Sequence, residues 1–243
     1  CNHNGTPDAA DLSKPDFAAA VEHHNDSATT SNLAGVAIVD VDLDGDMDVI
    51  ASAPSGASDS SLTIWRNDGG PGLVYGTRYI VPNARCYLIR PADLNADGRM
   101  DLVVSDAGFP GVLVVMATGS GTFGPATRLT AGSRSTGIAA GDLDNDGDID
   151  IAMPGFANNL VEVFRNNGNG TFAARTTYAC GQQPVAAAIG DFTGDGLADL
   201  AVGNSFISAP GTGTVTLLRN TGGAAFAAHA TITILGHAET SAN

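Results

Sequence analysis

The chain has 243 residues, of which 43% are apolar and 15% are charged. This composition is sufficient for a buried core and differs from that of a disordered chain. The formal net charge of −15 argues against a nucleic-acid-binding protein, which needs a basic face. No apolar run approaches the roughly 20 residues that a membrane-spanning helix requires.

The first 31 residues are predicted to form a polar tether that contains one stray strand at residues 16–24. The sequence starts at Cys1, and a cysteine followed by a polar segment resembles the start of a mature bacterial lipoprotein. This resemblance implies lipidation of Cys1 and a place at the cell surface, anchored to a bacterial membrane. The alternative is that residue 1 is an arbitrary starting point.

Four nine-residue segments dominate the rest of the sequence, and we call them the acidic loops. Each has aspartate at positions one, five and nine and glycine at position six. Their starts are 53, 49 and 49 residues apart, and such a fixed period predicts a repeat architecture. The loops are DVDLDGDMD (40–48), DLNADGRMD (93–101), DLDNDGDID (142–150) and DFTGDGLAD (191–199).

Short apolar stretches surround every acidic loop in the same order. In the first repeat they are GVAIV before the loop, VIASA after it, and SLTIW after a further turn. A glycine-rich turn follows, and a fourth strand is predicted to open on an aromatic or aliphatic residue. Residues 32–235 are therefore predicted to be an all-β propeller of four-stranded antiparallel blades. The four opening residues are Leu73, Phe123, Phe172 and Phe226.

The spacing of the repeats bears on the number of blades. Asp142 and Asp191 each follow the opening residue of the preceding fourth strand, Phe123 or Phe172, by 19 residues. The same interval after Phe226 would place a fifth loop just beyond the chain, so residues 236–243 are predicted to start a further blade or to form a tail. Four full blades then belong to a larger ring in a longer chain, or a partner completes the fold.

The chemistry of the acidic loops favours calcium. Ca²⁺ binds six to eight oxygen ligands with flexible geometry, whereas Mg²⁺ retains more of its water. Side chains at positions one, three and five converge when the chain curls, position seven can offer its carbonyl, and position nine can close the shell. No histidine or cysteine lies in any loop, which argues against zinc. A metal-free turn is the alternative.

The four candidate sites are unequal. Asn95 and Thr193 replace aspartate at position three of the second and fourth loops, so up to four ions are expected and the fourth site is expected to be weakest. The candidate ligands are Asp40, Asp42, Asp44, Asp46 and Asp48; Asp93, Asn95, Asp97, Arg99 and Asp101; Asp142, Asp144, Asp146, Asp148 and Asp150; and Asp191, Thr193, Asp195, Leu197 and Asp199.

The pattern D-x-[DN]-x-D-G-x-x-D at this period resembles the FG-GAP (VCBS-type) repeat over about residues 32–235, and Val49 to Pro54 is similar to the family's GAP element. The family includes the propeller of integrin α chains. The resemblance implies a calcium-binding β-propeller, commonly seven-bladed, with each acidic loop between the first two strands of a blade. It also implies that the aspartates and Asn95 are ligands, and Thr193 departs from the pattern.

No catalytic grouping is evident, since most carboxylates lie in the loops and the histidines lack metal-ligand spacing. The sequence therefore favours a non-enzymatic extracellular or cell-surface module that binds a surface protein or assembles with itself. A carbohydrate-binding lectin is the alternative, although Trp65 is expected to pack in a core rather than stack on sugar. Arg66, Arg165 and Arg219 each precede asparagine, a pattern that predicts turn and inter-blade bonding, or alternatively a repeated ligand contact.

Overall fold

A computed structural model describes residues 33–54, 59–70, 72–205 and 212–235. Throughout these ranges the chain forms strands and connecting loops, and they hold no helix that could cross a membrane. Cys1, the predicted stray strand at 16–24 and residues 236–243 lie outside the described residues.

Four antiparallel four-stranded sheets follow one another along the chain, which confirms the predicted all-β architecture of repeated blades. In each sheet the strands are ordered as in the sequence, so consecutive strands are neighbours. Sheet 1 contains β1 (Gly35–Val39), β2 (Asp48–Pro54), β3 (Asp59–Arg66) and β4 (Val74–Pro82); sheet 2 contains β5 (Cys86–Ala92), β6 (Asp101–Asp106), β7 (Val112–Val115) and β10 (Thr127–Leu129), with the small hairpin β8 (Ala117–Gly119) and β9 (Thr122–Phe123) before β10; sheet 3 contains β11 (Ala139–Gly141), β12 (Asp150–Gly155), β13 (Leu160–Phe164) and β14 (Thr176–Ala179); and sheet 4 contains β15 (Pro184–Gly190), β16 (Asp199–Ser205), β17 (Thr212–Asn220) and β18 (Phe226–Leu235).

The predicted start of the fourth strand is right in one sheet, one residue early in another and wrong in two. Phe226 opens β18, and β4 begins directly after Leu73. Phe123 instead lies in the β8–β9 hairpin, and Phe172 makes a single bridge to Asn166. Both phenylalanines pack against the cores between sheets, so pairing with the third strand resumes only four residues later.

The cores lie between successive sheets, so each of the two middle sheets buries both of its faces. Side chains alternate across a strand. In β6, Leu102 and Val104 pack towards sheet 1, whereas Val103 packs towards sheet 3. In β12, Ile151 and Met153 face sheet 2 while Ala152 faces sheet 4. This two-sided burial explains why β6 and β12 are buried at every residue instead of at alternate ones.

The first and last described strands, β1 and β18, expose apolar side chains. In sheet 1, Val36 and Ile38 are 61% and 68% exposed, while their strand neighbours Ala37 and Val39 are buried. Sheet 4 likewise exposes alternate isoleucines, including Ile234. A closed ring of blades, and the number of blades in it, stay predictions.

First strands of neighbouring sheets approach each other closely, and glycine permits the contact. A Cβ on Gly137 would lie 2.2 Å from the carbonyl oxygen of Val185, at the start of the next sheet's first strand. Gly35 meets the carbonyl oxygen of Tyr87 in the same way, with a Cβ separation of 2.1 Å. Backbone cannot yield as a flexible side chain would, so these two positions set the distance between sheets.

We therefore expect Gly137→Ala to lower the free energy of unfolding by about 3 kcal/mol, at the upper end of the cost of overpacking. Urea denaturation followed by circular dichroism measures the change. Gly190→Ala is the matched control, because an added Cβ at Gly190 has no atom within 4 Å among the described residues. Equal stabilities of the two variants would contradict close packing between sheets 3 and 4.

Candidate metal centre

Each acidic loop connects the first and second strands of its sheet, as the resemblance implied. The loop leaves the first strand at position one, and its ninth residue opens the second strand in all four sheets. The loops therefore lie at the same end of their sheets.

The aspartate at position one folds the loop around its own carboxylate. Asp40 accepts hydrogen bonds from the backbone N–H groups of Leu43 (2.7 Å) and Gly45 (3.0 Å). The N–H of the position-six glycine donates to the first aspartate at 2.9 Å in each of the other three loops. Gly45 has a φ of 97°, so the predicted need for glycine at position six is confirmed.

Position four also adopts a left-handed conformation, which the sequence pattern does not reveal. Leu43, Ala96 and Asn145 have φ angles of 63°, 56° and 65°. This conformation is uncommon and costly for a leucine or an alanine. Gly194 at position four of the last loop has a φ of 76°, so all four loops repeat this conformation with four different residues. The curled shape is therefore dictated by the hydrogen bonds around position one and not by the residue at position four.

The ninth-position aspartates are fully buried and act as ties between strands. Asp150 accepts the N–H of Leu143 at 3.0 Å through one oxygen and the N–H of Asn166 at 2.7 Å through the other. The corresponding residues of the other loops bond the same two places. Each oxygen keeps only its remaining lone pair for a cation. Sequence reasoning assigned these residues to the ion and missed the tie.

Burial also changes the protonation of the ninth-position carboxyl groups. Loss of hydration raises the pKa of Asp150 to about 6, although two backbone N–H groups oppose the shift. Burial raises the pKa of Asp101 for the same reason. A nearby cation would favour the ionised forms.

The first and third loops each bring carboxylates together. Asp40, Asp42 and Asp48 place one oxygen each within 4.8 Å of one another, and so do Asp142, Asp144 and Asp146. Among the described residues of the second and fourth loops, the carboxylates form no such group. Asn95 there donates to Asp97 at 3.1 Å, and the side chain of Asp195 accepts from Arg219.

Asp68 is a candidate ligand that the sequence pattern did not single out. It lies in the turn between β3 and β4, yet its carboxylate groups with those of Asp42 and Asp44 within 4.8 Å. The available signal was the acidic residue in the Asn67-Asp68-Gly69-Gly70 turn, which the repeat alignment treated only as a hairpin.

The position-seven aspartates belong to none of these groups, and their side chains lie near the turn after the third strand. A Cβ on Gly69 would lie 3.1 Å from a carboxylate oxygen of Asp46, and one on Gly168 would lie 2.5 Å from Asp148. The backbone N–H groups of Asp46 and Asp148 donate to the position-five carboxylates at 2.9 Å. The side chains of Arg99 and Leu197 are not oxygen ligands.

Four arginines face the loops. Arg66 lies 3.6 Å from Asp42, Arg165 lies 3.7 Å from Asp144, and Arg219 lies 2.9 Å from Asp195. In the second loop the arginine comes from position seven, where Arg99 lies 3.4 Å from Asp97. These side chains pair with carboxylates of their own blade, so the predicted inter-blade role of the arginines is wrong. The predicted contact with a turn holds for Arg66, which lies 3.9 Å from Asp68 in the turn after β3.

The asparagines that follow two of these arginines do confirm the predicted bonding between blades. Asn166 donates to the carbonyl oxygen of Leu94 in the preceding blade at 2.8 Å. Asn220 donates to the carbonyl oxygen of Leu143 at 2.6 Å, again one blade back. Both also accept the N–H of a turn glycine.

The chemistry of the first and third loops fits a hard divalent cation. Asp42 Oδ1 and Asp144 Oδ1 are buried and have no hydrogen-bond partner among the described residues. A buried acceptor without a partner is costly. Burial, and next the carboxylates of Asp44 and Asp48, raise the pKa of Asp42, while burial and Asp146 raise that of Asp144. A cation among these oxygens would remove both penalties.

If the first and third loops bind calcium, the binding should weaken as the pH falls. A carboxyl group whose pKa is raised by folding stays protonated to a higher pH, and its ionisation above that pKa opposes folding. Without calcium, the contribution of Asp150 to stability should fall as the pH rises through about 6. With calcium, protons compete with the ion, so the calcium-induced rise in Tm should be larger at pH 7.5 than at pH 5. Thermal melts at both pH values check this, and a larger rise at pH 5 would contradict it.

Comparison with known proteins agrees with this geometry. Three segments of the chain, residues 40–104, 93–153 and 155–202, match the FG-GAP-like repeat. No curated protein sequence shows significant similarity to the chain.

One solved structure shares the fold over most of this chain. A lectin from Agrocybe aegerita, whose structure shows specific recognition of non-reducing terminal N-acetylglucosamine, superposes with a TM-score of 0.53 at 24% identity. The match covers 85% of this chain and 53% of the lectin, so this chain spans about half of the lectin's length. This likeness supports a propeller-like fold.

Two further structures are more distant. BBS1N in complex with ARL6DN has a TM-score of 0.48 and 15% identity, covering 85% of this chain and 67% of the other. The Tc holotoxin pore of Photorhabdus luminescens has a TM-score of 0.40 and 16% identity, covering 79% of this chain and 12% of that one. Because the three matched segments together span residues 40–202, this chain belongs to the FG-GAP-like repeat family.

Proposed function

We propose that this chain is a calcium-stabilised β-propeller that acts outside the cell as a non-enzymatic interaction or assembly module. The observation that carries the calcium assignment is the pair of buried oxygens, Asp42 Oδ1 and Asp144 Oδ1, which lack partners within the described residues. Each lies in a group of carboxylates at the same place in its repeat.

Calcium would be held by the side chains of positions one, three and five in the first and third loops. The ninth-position aspartates contribute at most one lone pair per oxygen, and Asp68 adds a ligand to the first loop. The ion would supply positive charge, and its effect would be to hold the first two strands of a blade together. The second and fourth loops hold fewer carboxylates, and the fourth, with Thr193 at position three, is the weakest.

The partner class we propose is a surface protein or another copy of this chain. The family assignment supports an interaction module, and a lipid group on Cys1 would anchor the module to a bacterial membrane. Cross-linking at the surface of cells that express the full gene, with calcium and with EDTA, tests this proposal. A specific calcium-dependent adduct is expected. Turnover of a substrate by a chain that forms no adduct would overturn it.

A carbohydrate-binding propeller is the second candidate. The fold likeness to the Agrocybe aegerita lectin favours it, since that protein recognises non-reducing terminal N-acetylglucosamine. A glycan array probed with the calcium-loaded protein separates the two functions. Binding to a defined set of glycans would support the lectin, and an empty array together with a protein adduct would support the interaction module.

A further inference from the structure

A cavity of about 270 Å³ lies at the end of the sheets opposite the acidic loops. Its walls come from three consecutive repeats. Arg85 directly precedes β5 and Tyr87 lies in it, Arg134 and Thr136 precede β11, and Val185 lies near the start of β15. The first strands run from this end towards the loops, so the cavity and the acidic loops are separated by the length of a strand.

Two arginines occupy equivalent positions in this cavity. Arg85 and Arg134 each stand eight residues before the first aspartate of an acidic loop. Among the described arginines, Arg66, Arg99, Arg128, Arg165, Arg175 and Arg219 lie within 4.0 Å of a carboxylate. Arg85 and Arg134 have no carboxylate partner in the described part of the chain, and both are exposed.

Two buried carboxylates near this end of the sheets already pair with other arginines. Asp106 is fully buried, lies 2.6 Å from Arg128 and accepts the backbone N–H of Arg85. Glu162 is fully buried and pairs with Arg175 at 2.6 Å. The two cavity arginines thus form a local positive charge in a chain whose net charge is −15.

The remaining walls are suited to an organic group. Tyr87, Phe156 and Val185 are half-buried and supply ring faces and an aliphatic side chain. The hydroxyl of Ser135 already donates to the carbonyl oxygen of Gly137 at 2.8 Å. The guanidinium groups are therefore the principal charged donors that face the cavity.

We propose that this cavity binds a small organic oxyanion, with its carboxylate, sulfate or phosphate group between Arg85 and Arg134 and its ring against Tyr87 and Phe156. Guanidinium groups present a planar set of N–H donors that match such groups bidentately. The volume suits a ligand of about one sugar ring, below the range of drug-sized sites. The net charge of −15 disfavours a polyanion, so the ligand carries one or two charges.

Isothermal titration in EDTA and 50 mM salt tests the site with glucuronate, glucose and inorganic phosphate as probes. We expect glucuronate to bind with a Kd of about 1 mM, phosphate to bind more weakly, and glucose to show no binding, on the general scale of a single charged contact pair with ring burial. The Arg85→Gln/Arg134→Gln double variant should weaken glucuronate binding at least tenfold. Both side chains are exposed, so the variant should keep the wild-type circular dichroism spectrum.

Arg90→Gln is the matched control, because Arg90 is exposed on β5 and also lacks a carboxylate partner among the described residues, but it does not line the cavity. Unchanged glucuronate binding in the double variant, or equal loss in the control, would overturn the site. Glucuronate binding no tighter than phosphate binding would contradict the role of the two rings. The proposal goes beyond the interaction role proposed above, and its test uses neither calcium nor a partner, so the two can fail separately.

Discussion

We expect saturating calcium to raise the Tm of this protein by about 10 °C or more relative to the protein in EDTA. A ligand at about 100 times its Kd stabilises the folded state by about 2.7 kcal/mol per site. The first and third loops each gather three carboxylates, so two sites contribute about 5 kcal/mol. In a domain of this size, 1 kcal/mol corresponds to roughly 2–4 °C. Circular dichroism melts with calcium and with EDTA measure the shift.

Single substitutions assign the shift to the loops. Asp42→Asn and Asp144→Asn should each remove about half of the calcium-induced rise, since each removes one ligand charge from one site. Asp59→Asn is the control, because Asp59 is exposed at the far end of sheet 1 and accepts the N–H of Asn83 at 3.1 Å, which an asparagine oxygen can also accept. A Tm that does not respond to calcium would refute the calcium assignment. A loss as large in Asp59→Asn would refute the assignment to these loops.

The repeat period and the loop chemistry were readable from the sequence because both are local. Aspartate at position one and glycine at position six are five residues apart. In the structure the glycine N–H donates to this aspartate, and the glycine has the expected positive φ. The fourth strands were less predictable, because the side chains of Phe123 and Phe172 contact cores formed by other sheets. Their burial depends on how neighbouring sheets pack, and no local pattern records that.

The same limit applies to the candidate sites. Asp68 joins the first loop through a hairpin turn about 26 residues away in sequence, and only the fold brings it to Asp42. Arg85 and Arg134 have no carboxylate partner in the described part of the chain, while Asp106 and Glu162 pair with Arg128 and Arg175. Aligning the four repeats with one another shows which residues recur. Which of these residues contact each other depends on the fold.

The second large effect is expected at position nine and should not depend on calcium. Asp150→Ala removes the only described acceptor side chain for the N–H groups of Leu143 and Asn166, both of which are bonded in a buried environment. Each buried donor left without an acceptor costs about 1–3 kcal/mol, so the free energy of unfolding should fall by about 2–6 kcal/mol. Urea denaturation in EDTA measures this loss in the absence of any bound ion.

Asp144→Asn in the same loop is the comparison variant. It distinguishes a role of Asp150 in hydrogen bonding between strands from a role in binding the cation. Asp144 Oδ1 has no hydrogen-bond partner among the described residues, so in EDTA its replacement should leave stability unchanged or raise it by relieving repulsion from Asp146. If Asp150→Ala were no more destabilising than Asp144→Asn in EDTA, the ninth aspartate would be a ligand alone. A large loss confined to Asp150→Ala means that the carboxylate first joins the loop to the third strand, and that the cation binds to a loop whose shape is already fixed.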